Sequence, residues 1–535
     1  VEIRKLFFLL VVMYAMAVLA GCSDSKEAHT GSADTGKELV YATAKDMNDM
    51  NPHLYAGSMP AQGMVYESLV ENTKDGIKPW LAESWEISKD GKVYTFHLRK
   101  DVKFHDGEPF NAEAVKKNID AVQHNAKKHS WIKLSTKIAS CHVKDEYTVE
   151  LVLSEPYYPT LLELSMTRPY VFISPKNLIN GETKDGVNGY KGTGPYILTE
   201  HKVDQYAAFE ANENYWGGSP KVKKIIAKVL PAGETTFLAL QKGEVNFVFT
   251  DDRGTDSLDV EAMNTLVNSG KYQMVRSEAM NTKMIVANSG KADHPVHEIA
   301  VREAIWYSID RDTISKQIFN GVEAPAHTLF SPNVHYANVD LKKRGFDLDK
   351  AKNILEEAGW RLENGSAVRT KNGSKLAMKL YYDVNSSSQK SQAELIQNSV
   401  KKIGVQLDLV GEESTSIAKR RSTGDYDLLF NQTWGLAYDP QNTISAFTSE
   451  SSYLHTTKGM AKADELYKKI DEVMVSANEE TRKSLYADIL TLVHDEAVFI
   501  PITNGSVTVV APKRLKGISF KQTQYELPFE QMHFE

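Results

Sequence analysis

The chain has 535 residues, with 63 lysines and arginines against 70 aspartates and glutamates and a formal net charge of -7. That length exceeds what one hydrophobic core usually organises, so at least two domains are expected. The acidic balance argues against a broad nucleic-acid surface, which depends on excess basic residues.

The N-terminus reads as an export signal. Arg4 and Lys5 precede an apolar run over residues 7–19, interrupted by Tyr14 and closed by Leu19, Ala20, Gly21 and Cys22. A basic segment, a short apolar segment and small residues before a cut site describe a signal peptide over residues 1–21. The run is shorter than the ~20 apolar residues of a bilayer-spanning helix. Its ending resembles the lipobox of bacterial lipoproteins, which implies that Cys22 carries diacylglycerol and opens the mature chain. Lipid chains would hold the protein on the outer face of the cytoplasmic membrane, with residues 22–37 as a polar tether. Cys141, the only other cysteine, then has no disulfide partner.

Beyond the tether, residues 38–42 read as a strand and residues 85–87 and 93–98 as a hairpin around Lys89, Asp90 and Gly91. Residues 112–126 begin a helix with Asn111 as its N-cap. Alternation returns over 141–153, and 196–211 reads as a strand pair. Strands are expected at 223–229 and 245–249 on either side of a helix at 235–241. The second half restarts the pattern: a strand at 283–286, helices at 300–309, 311–319 and 349–357, a strand at 376–382, a helix at 388–403 and a strand at 405–410. Residues 461–493 are mainly helical, followed by short strands at 497–501 and 507–510. This mixture predicts an α/β or α+β protein, and the strand, helix, strand order of the second half follows the logic of an α/β domain.

No enzyme signature stands out. The chain lacks HExxH, a P-loop, a complete dinucleotide fingerprint and a cysteine cluster for a metal. The histidines are scattered; His53 and His129, each near an aromatic residue, are the best metal-ligand candidates among them. The expectation is a binding protein rather than an enzyme, with no cofactor.

The stretches Asn51-Pro52-His53-Leu54-Tyr55, Gly91 to Pro109, Gly192-Thr193-Gly194-Pro195-Tyr196, Asn214-Tyr215-Trp216-Gly217 and Val301 to Ile309 together resemble the family 5 extracytoplasmic solute-binding proteins for peptides and nickel. Arg168-Pro169-Tyr170, residues 411–421, residues 430–440 (FNQTWGLAYDP) and residues 495–499 look most like the nickel-binding branch, including lipoproteins of Gram-positive bacteria that take up nickel, cobalt or zinc bound to opine-type metallophores. The resemblance implies a two-lobed periplasmic-binding-protein-like fold (type II) with a ligand cleft between the lobes. One lobe would comprise residues 38–277 plus 500–535 and the other residues 278–499. The partners it implies are ABC-transporter permease subunits, a metal-metallophore complex and the membrane through the lipid anchor. A di- or oligopeptide ligand and a nickel-histidine chelate are the alternatives.

The same resemblance assigns ligand-binding residues. Arg168 stands where an arginine pairs with a ligand carboxylate, a role suited to a planar guanidinium. Trp131 and Trp434 match cleft-lining aromatics, and Tyr55 lies in the matching N-terminal loop. Asn431 occupies the position of a nickel-binding histidine, Lys128 that of an arginine, and Ala418 that of a tyrosine. Arg420 and Arg421 add positive charge beside the same segment. An asparagine in place of a histidine implies that a fully chelating organic ligand satisfies the metal, a Ni(II) or Co(II) ion, without a protein donor.

Overall fold

The computed structural model describes residues 38–55, 57–249, 258–363, 365–434, 440–523 and 526–535. The signal-like segment, Cys22 and the tether lie outside them.

The first half builds two four-stranded sheets. In one, Glu38–Thr43 runs parallel to Lys224–Val229, which is followed outward by Tyr206–Ala211 and Tyr196–Lys202 in antiparallel register. The other is antiparallel throughout, in the order Ala82–Ile87, Val93–Leu98, Thr148–Leu153 and Ile138–Asp145. The expected alternation over 141–153 is thus a hairpin that turns at Glu146 and Tyr147. Helix Ala112–His124 covers this sheet, and Asn111 caps it by accepting from the Ala114 amide at 3.0 Å.

The largest sheet joins the halves. Its order is Val248–Phe249, Phe499–Pro512, Tyr272–Ala287, Leu428–Gln432, Ala377–Asp383 and Gln406–Glu412, with Ala324–Pro325 pairing on the side. Two of its members correct the sequence reading. The strand expected at 283–286 is the end of a 16-residue strand, and the two short strands expected near the C-terminus are one 14-residue strand. The polar Thr503-Asn504-Gly505 step, which reads as a break, continues the ladder because Asn281 and Thr282 face Gly505 and Asn504 across it. The approach is close there: a Cβ on Gly505 would stand 2.3 Å from Asn281 Oδ1, so the Asn281 side chain would have to move.

These two long strands pass from one core to another. Val507, Val509 and Ala511 pack with Leu39, Ile225 and Phe247, whereas Ile500 and Ile502 pack with Ile305, Leu380 and Leu428. Along this strand the packing changes near Gly505 and Ser506, opposite Asn281 and Ala279. Successive side chains leave opposite faces of a strand. Met284, Val286 and Leu429 enter a core shared with Phe96, Phe110 and Tyr170, while Ile285, Ala287 and Phe430 enter the other.

Candidate functional site

The loop at 51–55 is tied down by its own polar side chains. Asn51 Oδ1 accepts from the His53 amide at 3.0 Å, and Asn51 Nδ2 donates to the Thr183 carbonyl at 2.9 Å. The His53 ring lies 3.1 Å from the Val171 carbonyl through Nε2 and 3.0 Å from Thr183 Oγ1 through Nδ1. A carbonyl only accepts, so Nε2 carries the proton and Nδ1 accepts from the hydroxyl. With both nitrogens engaged and burial pushing its pKa down to about 4, His53 is a neutral structural residue. The expectation that it could hold a metal is corrected.

This anchoring projects Tyr55, whose backbone sits at φ 60, in the left-handed region that non-glycine residues adopt uncommonly. The Tyr55 ring lies edge-on to Trp131 at 5.4 Å and to His129 at 5.1 Å, and the Arg168 guanidinium stands 5.5 Å from its centre. Arg168 Nη1 also donates to the Gly57 carbonyl at 3.1 Å. Tyr55 Oη contacts His129 Nδ1 and hydrogen-bonds with Trp131. Indole N–H only donates, so the chain runs from Trp131 to Tyr55 and from the Tyr55 hydroxyl to His129 Nδ1, which leaves the His129 proton on Nε2. His129 is fully buried, and burial followed by the Lys128 charge pushes its pKa down to about 4. Nε2–H is buried without a partner, a hydrogen-bond donor to offer. Lys128 is exposed beside it.

The facing wall comes from the strand Leu428–Gln432 and the residues C-terminal to it. Asn431 shares the face of Leu429; its Oδ1 accepts from the Gln432 amide at 2.8 Å and its Nδ2 is buried without a partner. Trp434 meets Trp131 with ring centres 5.1 Å apart, joining the two walls directly. Helix Ser414–Thr423 carries the remaining charges. Arg421 turns inward, 5.7 Å from the Tyr453 ring, with a buried, unpartnered Nε. Arg420 is engaged within its own neighbourhood. Its Nε and Nη2 each bond a Glu412 oxygen at 2.7 Å, Nη1 reaches the Asp425 carboxylate, and the guanidinium covers Tyr381 at 4.5 Å. Those carboxylates raise its pKa and consume its charge. Ala418 is exposed on the same helix.

Sequence reasoning missed the groups behind these walls. Glu163, only 1% exposed, accepts from the Leu134 amide at 2.7 Å, from Tyr157 at 2.6 Å and from Gln441 at 2.9 Å. A carboxylate inside the apolar Leu161-Leu162-Glu163-Leu164 run was the available signal. Two cavities flank the crossing strands. One of about 770 Å³ is lined by Tyr157, Tyr158, Glu278 and Tyr336; another of about 720 Å³, lined by Asn281, Lys283 and Gln432, opens on the opposite face. Among the described residues no group of three or more His, Cys, Asp and Glu side chains is arranged to hold a metal ion.

Comparison with known proteins places this arrangement. The chain is 40% identical over 498 residues to a nickel-binding periplasmic protein of Escherichia coli K12, covering 92% of this chain and 94% of that one. It is 27% identical to a dipeptide-binding protein of the same organism over 90% of this chain and 92% of the relative. The crystal structure of NikA from Brucella suis in complex with Fe(III)-EDTA superposes with a TM-score of 0.89 at 38% identity, covering 93% of this chain and all of that one. The fold is therefore the two-lobed binding-protein fold, and the protein is an extracytoplasmic binding component of an ABC importer of the nickel or peptide kind rather than an enzyme. Residues 76–454 match the family model for the middle region of bacterial extracellular solute-binding proteins, family 5, and the chain belongs to that family.

Proposed function

We propose that the protein captures nickel or cobalt as a chelate with a carboxylate-rich organic molecule of the opine metallophore type and delivers it to the permease of an ABC importer. The observation that carries this reading is the composition of the cleft: Trp131 against Trp434, Arg168 over Tyr55, and buried unpartnered donors on His129 and Asn431. Aromatic faces, a guanidinium and N–H donors recognise an organic anion, and a chelated ion brings its own nitrogen and oxygen donors. The 40% identical relative is named for nickel binding, and the 38% identical structure holds a metal within a carboxylate-rich chelator. These likenesses support a metal chelate over a peptide.

Titration calorimetry in metal-free, non-chelating buffer tests the reading. Nickel preloaded with an opine metallophore should bind at least about 100-fold more tightly than the aquo-ion, a difference of about 2.7 kcal/mol. Equal affinity for aquo-ion, histidine chelate and metallophore chelate, or preference for a dipeptide, would sink it. The reading includes anchoring of the mature chain through a lipid on Cys22, supported by the Leu-Ala-Gly-Cys ending. Cys22→Ser should move the protein out of the membrane fraction; unchanged lipidated protein there would refute the anchor.

A further inference from the structure

The chain just after helix Met59–Val65 and the C-terminal end of the chain meet over a small cavity of about 40 Å³. Glu67 and Glu71 line it from the first side, and Lys521, Glu526 and Glu530 from the second. Glu67 is satisfied there: it accepts from Trp80 Nε1 at 2.9 Å, from Tyr215 Oη at 2.7 Å and from Trp216 Nε1 at 3.1 Å. Lys521, the one lysine among the described lining residues, stands 3.7 Å from Glu71. Glu526 presses on the helix itself. A Cβ on Gly63 would stand 3.6 Å from its Oε2, and its Oε1 is buried without a partner. Tyr66 and Thr167, 2% and 5% exposed, line the same cavity, and their hydroxyls are also buried without partners.

Four carboxylates beside one ammonium in so confined a space cannot all stay ionised, because burial and like charge both favour the neutral acid. Glu526 is the member without a donor of its own. Burial pushes its pKa up to about 7; Lys521 opposes the rise, and Glu71 and Glu530 add to it. The other titratable groups around the cavity are Glu67, Tyr66 and Tyr215, with Tyr196 beside Glu530 and Asp49 beyond Tyr66. A protonated carboxyl is also a donor, and a hydroxyl oxygen without a partner can accept from it.

We propose that this cavity is a proton site: a proton held by Glu526 among these carboxylates fastens the C-terminal end of the chain to helix Met59–Val65. The fold carries the effect toward the ligand wall, and that extension rests on the reading of the cleft as the site of the transported ligand. Helix Met59–Val65 follows Gly57, whose carbonyl accepts from Arg168, and Thr167 adjoins Arg168 in sequence. The folded pKa of Glu526 lies above its ordinary value of 4.5, so its contribution is full below about 4.5 and is lost as pH rises to about 7.

Hydrogen exchange of residues 526–535 in the whole protein at a series of pH values between 5 and 8, corrected for the intrinsic pH dependence of exchange, tests the site. Protection in the wild type should fall at least about threefold across the series. Glu526→Gln, which cannot ionise, should stay protected throughout. Glu71→Gln removes a neighbouring negative charge and should move the midpoint of the loss to lower pH, while Lys521→Gln should move it to higher pH. A merely structural role for these side chains would lower protection without moving the midpoint. The proposal is overturned by wild-type protection that is level across the series, by a Glu526→Gln protein with the wild-type pH dependence, or by a midpoint that neither neighbour shifts in its stated direction. If Glu526→Gln does not fold, the two neighbouring variants decide alone. At pH 8, calorimetry with Fe(III)-EDTA should show Glu526→Gln binding at least about twofold more tightly than wild type, and at pH 5 the two should be equal. Equal binding at pH 8 would overturn the link to the cleft. Failure of Fe(III)-EDTA to bind either protein would count against the chelate reading, while the exchange series would still judge the proton site.

Discussion

The two walls of the cleft carry similar residue types but use them differently. On the N-terminal wall, Tyr55, His129, Trp131 and Arg168 are held together by ring contacts and one chain of hydrogen bonds, with donors left over. On the facing wall, the charge of Arg420 is spent on Glu412 and Asp425 within its own neighbourhood. The difference teaches that a charge near a cleft motif is a recognition group only where the surrounding fold has not already neutralised it. The first wall is organised by these internal contacts. The second offers chiefly Trp434, Asn431 and the inward-facing Arg421.

The largest effect should come from the guanidinium of the first wall. Arg168→Ala should weaken chelate binding by roughly 2 to 5 kcal/mol, the range seen when one partner of a buried charge pair is removed. Calorimetry at constant ionic strength measures it. A loss below about 0.5 kcal/mol would mean that Arg168 braces the Tyr55 loop through Gly57 without meeting the ligand, and the two walls would then be alike.

Much of this contrast was legible before the fold, but unevenly. Strong alternation marks the strands at 93–98 and 148–153 because each buries one face. The same criterion missed most of Tyr272–Ala287, whose exposed, polar middle spans the gap between two cores and so has no steady burial pattern. Family likeness singled out Arg168, Trp131 and Trp434, and Trp131 does stand between Trp434 and the Tyr55 ring that Arg168 covers. It could not tell Arg420 from Arg421, since that choice depends on which helix face meets Glu412 and which meets Tyr453. The partnership of Glu163 with Gln441 escaped notice because it spans 278 positions; the apolar run around Glu163 hints at a buried carboxylate but not at its partner.

A second effect separates the walls by pH. The first wall rests on two histidines held neutral by burial, His53 and His129, each with its pKa near 4. An unfolded histidine titrates near 6.5. Between about 6.5 and 4 the unfolded chain therefore binds more protons, so stability present above that window is lost as pH falls through it, and the slope vanishes below it. For the fully buried His53 the loss reaches up to about 3 kcal/mol. Urea unfolding at pH 7, 5.5 and 4.5 should show a shallower decline for His53→Gln than for wild type. Parallel declines would show that His53 titrates alike in both states and that its burial does not govern its protonation.

The smallest effect is predicted for Arg420, and it is the sharpest test of the comparison. Its side chain is about a quarter exposed and already holds a two-point bond to Glu412, a bond to Asp425 and a stack on Tyr381. To meet a ligand carboxylate it would have to abandon two protein carboxylates for one, with no net gain of charge-assisted bonds. Arg420→Ala should therefore leave chelate affinity within about twofold, which corresponds to about 0.4 kcal/mol. Stability should fall by at most about 1 kcal/mol, as for other partly exposed ion pairs. Arg421→Ala, measured beside it, should cost more affinity because its Nε faces inward without a partner. If the order is reversed and Arg420→Ala weakens binding tenfold while Arg421→Ala does not, helix Ser414–Thr423 must rotate on ligand closure to release Arg420 from Glu412, and the facing wall would be as much a recognition surface as the first.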